Sequence, residues 1–349
     1  MKNSGGAKVL KALGAGLGTL LTLTLTSTAF FRWDLSGHGP LLSNRFGFRA
    51  FASSLPQHAE WLAAFGALSA LTLFLRAVQW GFTLPKAVPF KERMHLVNLG
   101  ALVHNVLPGK LGDVTRAFLL ARTQQLSFLS SLGSVAMCKL LEFAALMAVV
   151  SASCLGPLRG MASQFRRPLE MGVGLCALGV LGTLLLARYA GPLSRRFEAT
   201  DRCPRLRVVL HELDEGLGTA RSARGLILAL VVSLGPVLAP ALGYGLGLRG
   251  LGIEGGLWAG PLLLGAIAVG QSVLVVPAGM GLYYFVTSYT ARTLGATPDQ
   301  AAAFATLTHL STLLVQAGMG LTSLWLRKLK WADLREDRLA AALASGAAP

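Results

Sequence analysis

Long uncharged runs separated by short charged segments make up most of the chain. Nine of these runs contain at least 15 residues: 12–31, 61–75, 94–109, 123–138, 143–158, 171–187, 225–248, 255–291 and 300–326. A helix needs about 20 mostly apolar residues to cross a bilayer. We interpret 61–85 as one span interrupted by Arg76, and 123–158 as one span interrupted by Lys139 and Glu142. The pattern predicts an all-α, polytopic helical membrane protein with about six full spans.

Two of the runs are too irregular to be straight spans. The run 94–109 is short and ends in Pro108-Gly109, and the run 255–291 has 37 residues and contains the sequence Pro-Ala-Gly-Met-Gly at 277–281. Broken backbone is tolerated at membrane depth only where protein or water satisfies the freed polar groups. We therefore expect two broken re-entrant helical segments, with structural breaks at Pro108, Gly109, Gly112, Pro277, Gly279 and Gly281.

The two breaks resemble each other in sequence. In 106–112 and in 275–281, an apolar pair precedes proline and a glycine follows four residues after it. Lys139 lies 27 residues after Gly112, and His309 lies 28 residues after Gly281. Three predicted spans separate the breaks, so the two copies would have opposite orientations, as in transporters built from inverted repeats. Coincidence is the alternative, because Pro and Gly are common in membrane helices.

The first uncharged run, 12–31, follows three lysines and could belong to a secretory signal peptide. Its 20 uncharged residues exceed the usual apolar core of about 7–15 residues in such a peptide. We therefore expect an uncleaved first helix. The segment 188–224 places Leu206, Val209, Leu210, Leu213 and Leu217 at helical spacing. This predicts an amphipathic helix that lies on the inner leaflet or packs on the protein's own loops.

The composition excludes a soluble protein, and the distribution of charge predicts how the chain is oriented in the membrane. Only 14% of residues are charged, against about 25% in soluble domains. The net charge of +16 comes without basic stretches interleaved with aromatic residues, so we expect no nucleic-acid partner. Of 32 Lys and Arg residues, 22 lie in the N-terminal segment, 86–93, 110–122, 188–224 and the C-terminal segment. The positive-inside rule then predicts a multi-pass protein of the cytoplasmic (inner) membrane, with both termini cytoplasmic beside anionic headgroups.

The sequence NVLPGKLGDVTRAFLL at 105–120 is similar to the N-x-x-L-P-x-x-x-G-D-x-x-R-A signature of the lysylphosphatidylglycerol synthase transmembrane region, or flippase-like domain, family. Residues 107–117 match from the Leu onward, and Asn105 lies one position closer to Leu107 than in the signature. Three further matches occur in the family's order: Arg76-x-x-x-Trp80, Lys139-x-x-Glu142 and the break at 277–281. The resemblance covers 60–328 and implies a flippase-like transmembrane domain there. It leaves 1–59 as an N-terminal span with an external loop and 329–349 as a cytoplasmic tail.

The chain departs from the family pattern at three positions. Tyr284 stands where the family usually has Glu, His309 where an arginine is common, and Cys138 where an acid often precedes the basic residue. Family members that synthesise aminoacyl lipids carry a large soluble C-terminal catalytic domain. Only 23 residues follow position 326 here, so we expect no aminoacyl transfer.

The residues that could contact a substrate each have a structural alternative. Asp113 is either the N-cap of a helix, with Arg116 as its local partner, or part of a phosphate site in which that helix N-terminus, Lys110 and Arg116 attract the anion. Lys139 and Glu142 form either a structural pair or part of a polar groove for a headgroup. The full set of predicted substrate-binding residues is Arg76, Asn105, Lys110, Asp113, Arg116, Lys139, Glu142, Tyr284 and His309.

These residues favour a lipid flippase that moves a polar, phosphate-bearing headgroup between leaflets, with membrane lipids as partners and a homo-oligomer compatible with the sequence. The alternatives are a lipid-modifying transferase in the membrane and a scaffold without transport. We expect no enzyme, cofactor or metal site: His95 and His104 share no helical face, and no phosphate-binding G-x-x-x-x-G-K-[ST] loop occurs.

Overall fold

The computed structural model describes residues 23–27, 31–33, 42–44, 55–106, 111–156, 158, 162–200, 204–218, 222–253, 256–273 and 280–329. Within these residues the chain is helical apart from one antiparallel ribbon, in which β1 (Phe31–Trp33) pairs with β2 (Leu42–Asn44). Most of the predicted first helix and external loop lie outside the described residues. So do Pro108, Gly109, Lys110, Pro277, Gly279 and nearly all of the C-terminal tail.

After a 3₁₀ turn at Leu55–His58, the helices follow one another with short connections. They are α1 (Ala59–Trp80), α2 (Phe90–Val106), α3 (Gly112–Gln124), α4 (Phe128–Leu155), α5 (Ala162–Thr200), α6 (Pro204–Gly216), α7 (Ala223–Ser233), α8 (Gly235–Gly250), α9 (Gly256–Val273), α10 (Met280–Thr293) and α11 (Pro298–Leu326).

In the part of the chain that the structure describes, four helical stretches are long and apolar enough to cross a membrane. They are Pro56–Trp80, Phe128–Leu155, Glu170–Phe197 and Ala223–Gly250. The chain is therefore a helical, multi-pass membrane protein, and α1 and α4 confirm that Arg76, Lys139 and Glu142 interrupt single spans. The 29 residues of α11 extend about 43 Å, which exceeds the apolar thickness of a bilayer, but α11 is not among the four apolar stretches.

Two similar series of helices flank α5 and α6. The first series is α1 to α4, and the second is α7 to α11. In α1 to α4 the lengths are 22, 17, 13 and 28 residues; in α9, α10 and α11 they are 18, 14 and 29, preceded by the 28-residue stretch Ala223–Gly250. The contacts are reciprocal: α2 packs on α11 while α9 packs on α4, and α1 packs on α8. Reciprocal contacts are what a two-fold relation between the series requires. The lengths and contacts agree with the predicted repeat.

Equivalent side-chain caps start the long last helix of each series. Ser127 accepts a hydrogen bond from the backbone N–H of Ser130 at the start of α4. Thr297 and Gln300 form a reciprocal capping box at the start of α11, where Pro298 takes the first helical position. These caps fix where α4 and α11 begin, directly after the short helices α3 and α10.

The amphipathic segment between the two series packs on the protein. The helix α6 contacts α4 and α5, and its Leu210 and the following Leu217 are buried. At its end, a Cβ atom on Gly216 would lie 2.5 Å from the carbonyl oxygen of Ser130, so the two backbones touch. Leu210 and Leu217 thus pack on the protein's own helices, whereas Val209 of the same predicted apolar face stays exposed. The helix α5 also extends beyond the predicted apolar run 171–187 at both ends.

Candidate functional site

A cavity of about 540 Å³ lies between the two series and is lined by α1, α2, α3, α4, α8, α9, α10 and α11. Its size falls within the range of small-molecule sites. The structure brings seven of the predicted substrate-binding residues into the lining: Arg76, Asn105, Asp113, Arg116, Lys139, Glu142 and His309. Lys110 lies outside the described residues, and Tyr284 is not among the described lining residues.

A close crossing of α2 and α3 positions the acidic and basic residues of α3. A Cβ atom on Gly112 would lie 2.2 Å from the carbonyl oxygen of Gly100 and 2.8 Å from Cβ of His104. Only glycine permits this approach. The first residue of α3 therefore lies against the backbone of α2, and Asp113 and Arg116 line the cavity one turn apart.

Asp113 does not cap α3. Leu111 occupies the N-cap and makes no side-chain hydrogen bond there, so the capping alternative for Asp113 is wrong. The ion pair that the structure gives Asp113 runs to another helix, with Oδ2 of Asp113 3.6 Å from Nζ of Lys139 on α4. The spacing of Asp113 and Arg116 suggested a local pair, but the cation nearer in space is 26 positions away in sequence.

Lys139 and Glu142 belong to a network that links three helices. Nζ of Lys139 lies 3.8 Å from Oε2 of Glu142, in addition to its contact with Asp113. The same Glu142 oxygen lies 3.4 Å from Nη2 of Arg76 on α1. Lys139 on α4 thus contacts one carboxylate on its own helix and one on α3. Arg76 therefore pairs with a carboxylate on another helix.

Among the described residues that line the cavity, Arg116 is the cation that this network leaves without a carboxylate. The residue is only 4% exposed, and its guanidinium carbon lies 4.5 Å from the ring centroid of Trp80. The indole N–H of Trp80 donates to the hydroxyl of Ser134 at 3.1 Å, which fixes the ring. Among the described residues, Nε and Nη2 of Arg116 have no hydrogen-bond partner. A buried guanidinium with unused donors is costly unless an acceptor reaches it.

The α10–α11 side of the cavity is polar and aromatic. The rings of Tyr283 and His309 stack with centroids 4.4 Å apart, and the hydroxyl of Tyr283 donates to Thr308 at 2.8 Å. Tyr244 on α8 lies within hydrogen-bond distance of the Tyr283 hydroxyl, at 3.1 Å. Tyr284 contacts His309 edge to face at 5.1 Å. Tyr283 lines the cavity itself, and Tyr284 points elsewhere on α10 because neighbouring helical residues point about 100° apart.

Two further lining residues, Thr312 and Gln316, were not predicted. Asn105 on α2 donates from Nδ2 to Oε1 of Gln316 at 2.6 Å and so ties the two helices together beside the cavity. His309, Thr312 and Gln316 are spaced i, i+3 and i+7, which places them on one face of α11. A row of polar residues on one face of an otherwise apolar helix is a sequence pattern from which Thr312 and Gln316 could have been predicted.

The family model for the lysylphosphatidylglycerol synthase transmembrane region matches residues 16–320 of the chain. The chain belongs to this family. A comparison with curated proteins and a comparison with solved structures each found no match. Membership in the lysylphosphatidylglycerol synthase transmembrane-region family indicates a lipid-related function in a membrane. The described residues contain no group of three His, Cys, Asp or Glu side chains arranged to hold a metal ion.

Proposed function

We propose that this protein is a lipid flippase, which moves a phosphate-bearing lipid headgroup between the leaflets while the acyl chains stay in the bilayer. The observation that carries the proposal is the buried guanidinium of Arg116, whose Nε and Nη2 lack acceptors among the described residues and which lines the cavity. A phosphodiester offers two unesterified oxygens, and guanidinium groups bind such oxygens with two parallel hydrogen bonds.

The ion-pair network supports this role because it holds the other cations without satisfying Arg116. Glu142 is shared by Arg76 and Lys139, and Lys139 also contacts Asp113. About 41% of the Lys139 side chain remains exposed in the structure, so its ammonium is accessible to a second anion. A headgroup that enters the cavity would exchange water for fixed donors on Arg116 and Lys139. Such replacement offsets the cost of bringing a charged phosphate to membrane depth.

We place this activity in the cytoplasmic membrane with both termini inside, on the distribution of Lys and Arg in the sequence. The lipids themselves are the partners that the cavity requires. A purely structural scaffold would not need a buried, unpaired cation facing a cavity.

The test uses purified protein in vesicles that contain a trace of phosphatidylglycerol labelled on an acyl chain. The neutral change Arg116→Gln should slow movement of the label between leaflets by at least about tenfold, since it removes a charge-assisted pair worth more than about 1.4 kcal/mol. The matched control is Arg292→Gln, which makes the same chemical change at an exposed position on α10. Equal rates for wild type and Arg116→Gln would refute the role of Arg116.

A further inference from the structure

We propose that the lipid is carried together with one proton, which binds the imidazole of His309 while the phosphate occupies the cavity. This inference rests on the proposed transport function and adds the coupling of that transport to a proton gradient. Three features carry it: the place of His309 in the cavity lining, the aromatic rings around its imidazole, and the hydrogen bonds that already engage the neighbouring hydroxyl protons.

His309 and Arg116 share one small, buried cavity. Each residue is only 4% exposed, and both line the volume of about 540 Å³ between the two series. A sphere of that volume is about 10 Å across, so a phosphate held by Arg116 interacts with a charge on His309 in a site that salt screens poorly. An opposite charge nearby favours the charged form of a titratable group. The phosphate therefore promotes protonation of His309, and by linkage the proton promotes phosphate binding.

Two tyrosine rings surround the imidazole in a way that suits a cation. The ring of Tyr283 stacks on His309 with centroids 4.4 Å apart and the planes 20° apart, and the ring of Tyr284 meets it edge to face at 5.1 Å. A cation over the face of an aromatic ring is attracted by the ring quadrupole. The stack on Tyr283 therefore stabilises the protonated imidazole more than the neutral one, and it offsets part of the cost of a buried charge.

The hydroxyl groups beside His309 already use their protons in a directed chain. Tyr283 donates to the hydroxyl of Thr308 at 2.8 Å, and Thr308 donates to the carbonyl of Phe304 at 2.7 Å. Since Tyr283 has a single hydroxyl proton, the contact of 3.1 Å with Tyr244 must be a donation from Tyr244 to Tyr283. Phenols also lose their protons only far above neutral pH. On this side of the described lining, His309 is thus the group suited to exchange a proton near neutrality.

The other titratable and charged groups around His309 belong to several helices. The helix α11 packs on α1, α2, α8 and α10. On these four helices the groups that line the cavity or contact the imidazole are Arg76, His104, Tyr244, Tyr283 and Tyr284. The described lining of α3 and α4 adds Asp113, Arg116, Lys139 and Glu142. Of all these, His104 is the second group that titrates near neutral pH, so the experiment must separate the two histidines.

The proton and the phosphate would move in the same direction. The proton comes from water on the side where the phosphate enters, and it returns to water on the side where the phosphate leaves. One positive and one negative charge cross together, so the step is electroneutral. At zero membrane voltage, a difference of about one pH unit should therefore concentrate the lipid about tenfold in the leaflet on the alkaline side.

The test measures the final distribution of a lipid under a pH difference. Vesicles with wild-type protein would contain a trace of acyl-labelled phosphatidylglycerol, whose phosphodiester stays ionised at both pH values, and equal potassium with valinomycin would hold the voltage at zero. We expect about tenfold accumulation in the alkaline-side leaflet for a difference of about one pH unit. Equal distribution, or accumulation on the acidic side, would overturn the coupling while leaving transport intact. Wild-type protein that moves no lipid would overturn the proposed function, and the coupling with it.

Substitutions assign the coupling to one histidine. Neither the neutral His309→Gln nor the permanently charged His309→Lys exchanges a proton near neutral pH, so both should move the lipid without concentrating it. The matched control is His211→Gln, which makes the same change at a side chain on α6 that is 66% exposed, and it should concentrate the lipid as wild type does. Accumulation in either His309 variant, or its loss in His104→Gln alone, would overturn the assignment.

A second measurement needs no transport. Phosphatidylglycerol added to wild-type protein in weakly buffered detergent should cause proton uptake, seen as a rise in pH, and His309→Gln should lose that uptake. Loss of uptake in a His309→Gln protein with wild-type Tm would support the proposal even if this variant moves no lipid. Uptake equal to that of wild type in His309→Gln would overturn it.

Discussion

The substitution Gly112→Ala tests whether the crossing of α2 and α3 builds the cavity. The added Cβ atom would lie 2.2 Å from the backbone oxygen of Gly100, and an ordinary contact begins near 3.4 Å. A backbone carbonyl cannot rotate away as a side chain can. The two helices must therefore separate by about 1.2 Å at this point, the difference between those two distances.

The expected cost follows from that displacement. Overpacking a close contact costs about 1–3 kcal/mol, and a rigid neighbour puts this case in the upper half of the range. Alanine has a higher helix propensity than glycine, which offsets at most about 1 kcal/mol of this cost at the first residue of a helix. We expect a net loss of about 1–2 kcal/mol in the free energy of unfolding, or about 2–8 °C in Tm. A shift of this size also changes the separation of Asp113 and Lys139, now 3.6 Å, so transport should fall as well.

The assay is thermal unfolding of the purified protein in detergent, followed by the vesicle transport measurement. The matched control is Gly318→Ala, since a Cβ atom on Gly318 in α11 meets nothing within 4 Å. That variant should be as stable as wild type or more stable by up to about 1 kcal/mol. A Gly112→Ala protein with wild-type Tm and wild-type transport would refute the reasoning.

Two other predictions follow from the ion pairs and from the charge distribution. Glu142→Gln should lower Tm more than Asp113→Asn does. The side chain of Glu142 is 12% exposed and has two cationic partners, whereas that of Asp113 is 40% exposed and has one. A larger loss of Tm in Asp113→Asn would contradict the central place of Glu142 in the ion-pair network. Single cysteines replacing Arg195 and Arg249 should react with impermeant reagents from the cytoplasmic and the external side, respectively. Labelling of both from one side would reject the orientation.

The sequence predicted the membrane fold well because bilayer physics leaves strong local signals. Uncharged runs are readable without contacts, and so are Pro-Gly pairs, although the breaks predicted at Pro108 and Pro277 lie outside the described residues. Lys139 and Glu142 were also recognisable, since charges inside an apolar run seldom face lipid. Two short motifs suggested the repeat, and the similar helix lengths and reciprocal contacts that agree with it could be seen only in the structure.

Other parts of the site depend on distances that a linear pattern does not contain. Arg76 and Glu142 are 66 positions apart, so their pairing is set by the packing of α1 on α4. The choice between Tyr283 and Tyr284 depends on the rotation of α10 about its axis, which a run of adjacent aromatic residues leaves open. The structure also shows that Lys139 and Glu142 are not an isolated pair. Replacing both with apolar residues would leave Arg76 and Asp113 without these partners, so the double variant should be destabilised.

The measurement that tests the central claim most directly follows the position and the chemistry of one lipid together. Three vesicle samples would carry the labelled phosphatidylglycerol: one with wild-type protein, one with the Arg116→Gln variant and one without protein. In each sample the distribution of the lipid between leaflets is followed over time, and the mass of the lipid is then determined. We expect rapid redistribution of a chemically unchanged lipid with wild type only. Redistribution no faster than in protein-free vesicles would contradict the account. An altered lipid mass with wild type that is lost in a parallel Asp113→Asn sample would instead identify a lipid-modifying enzyme.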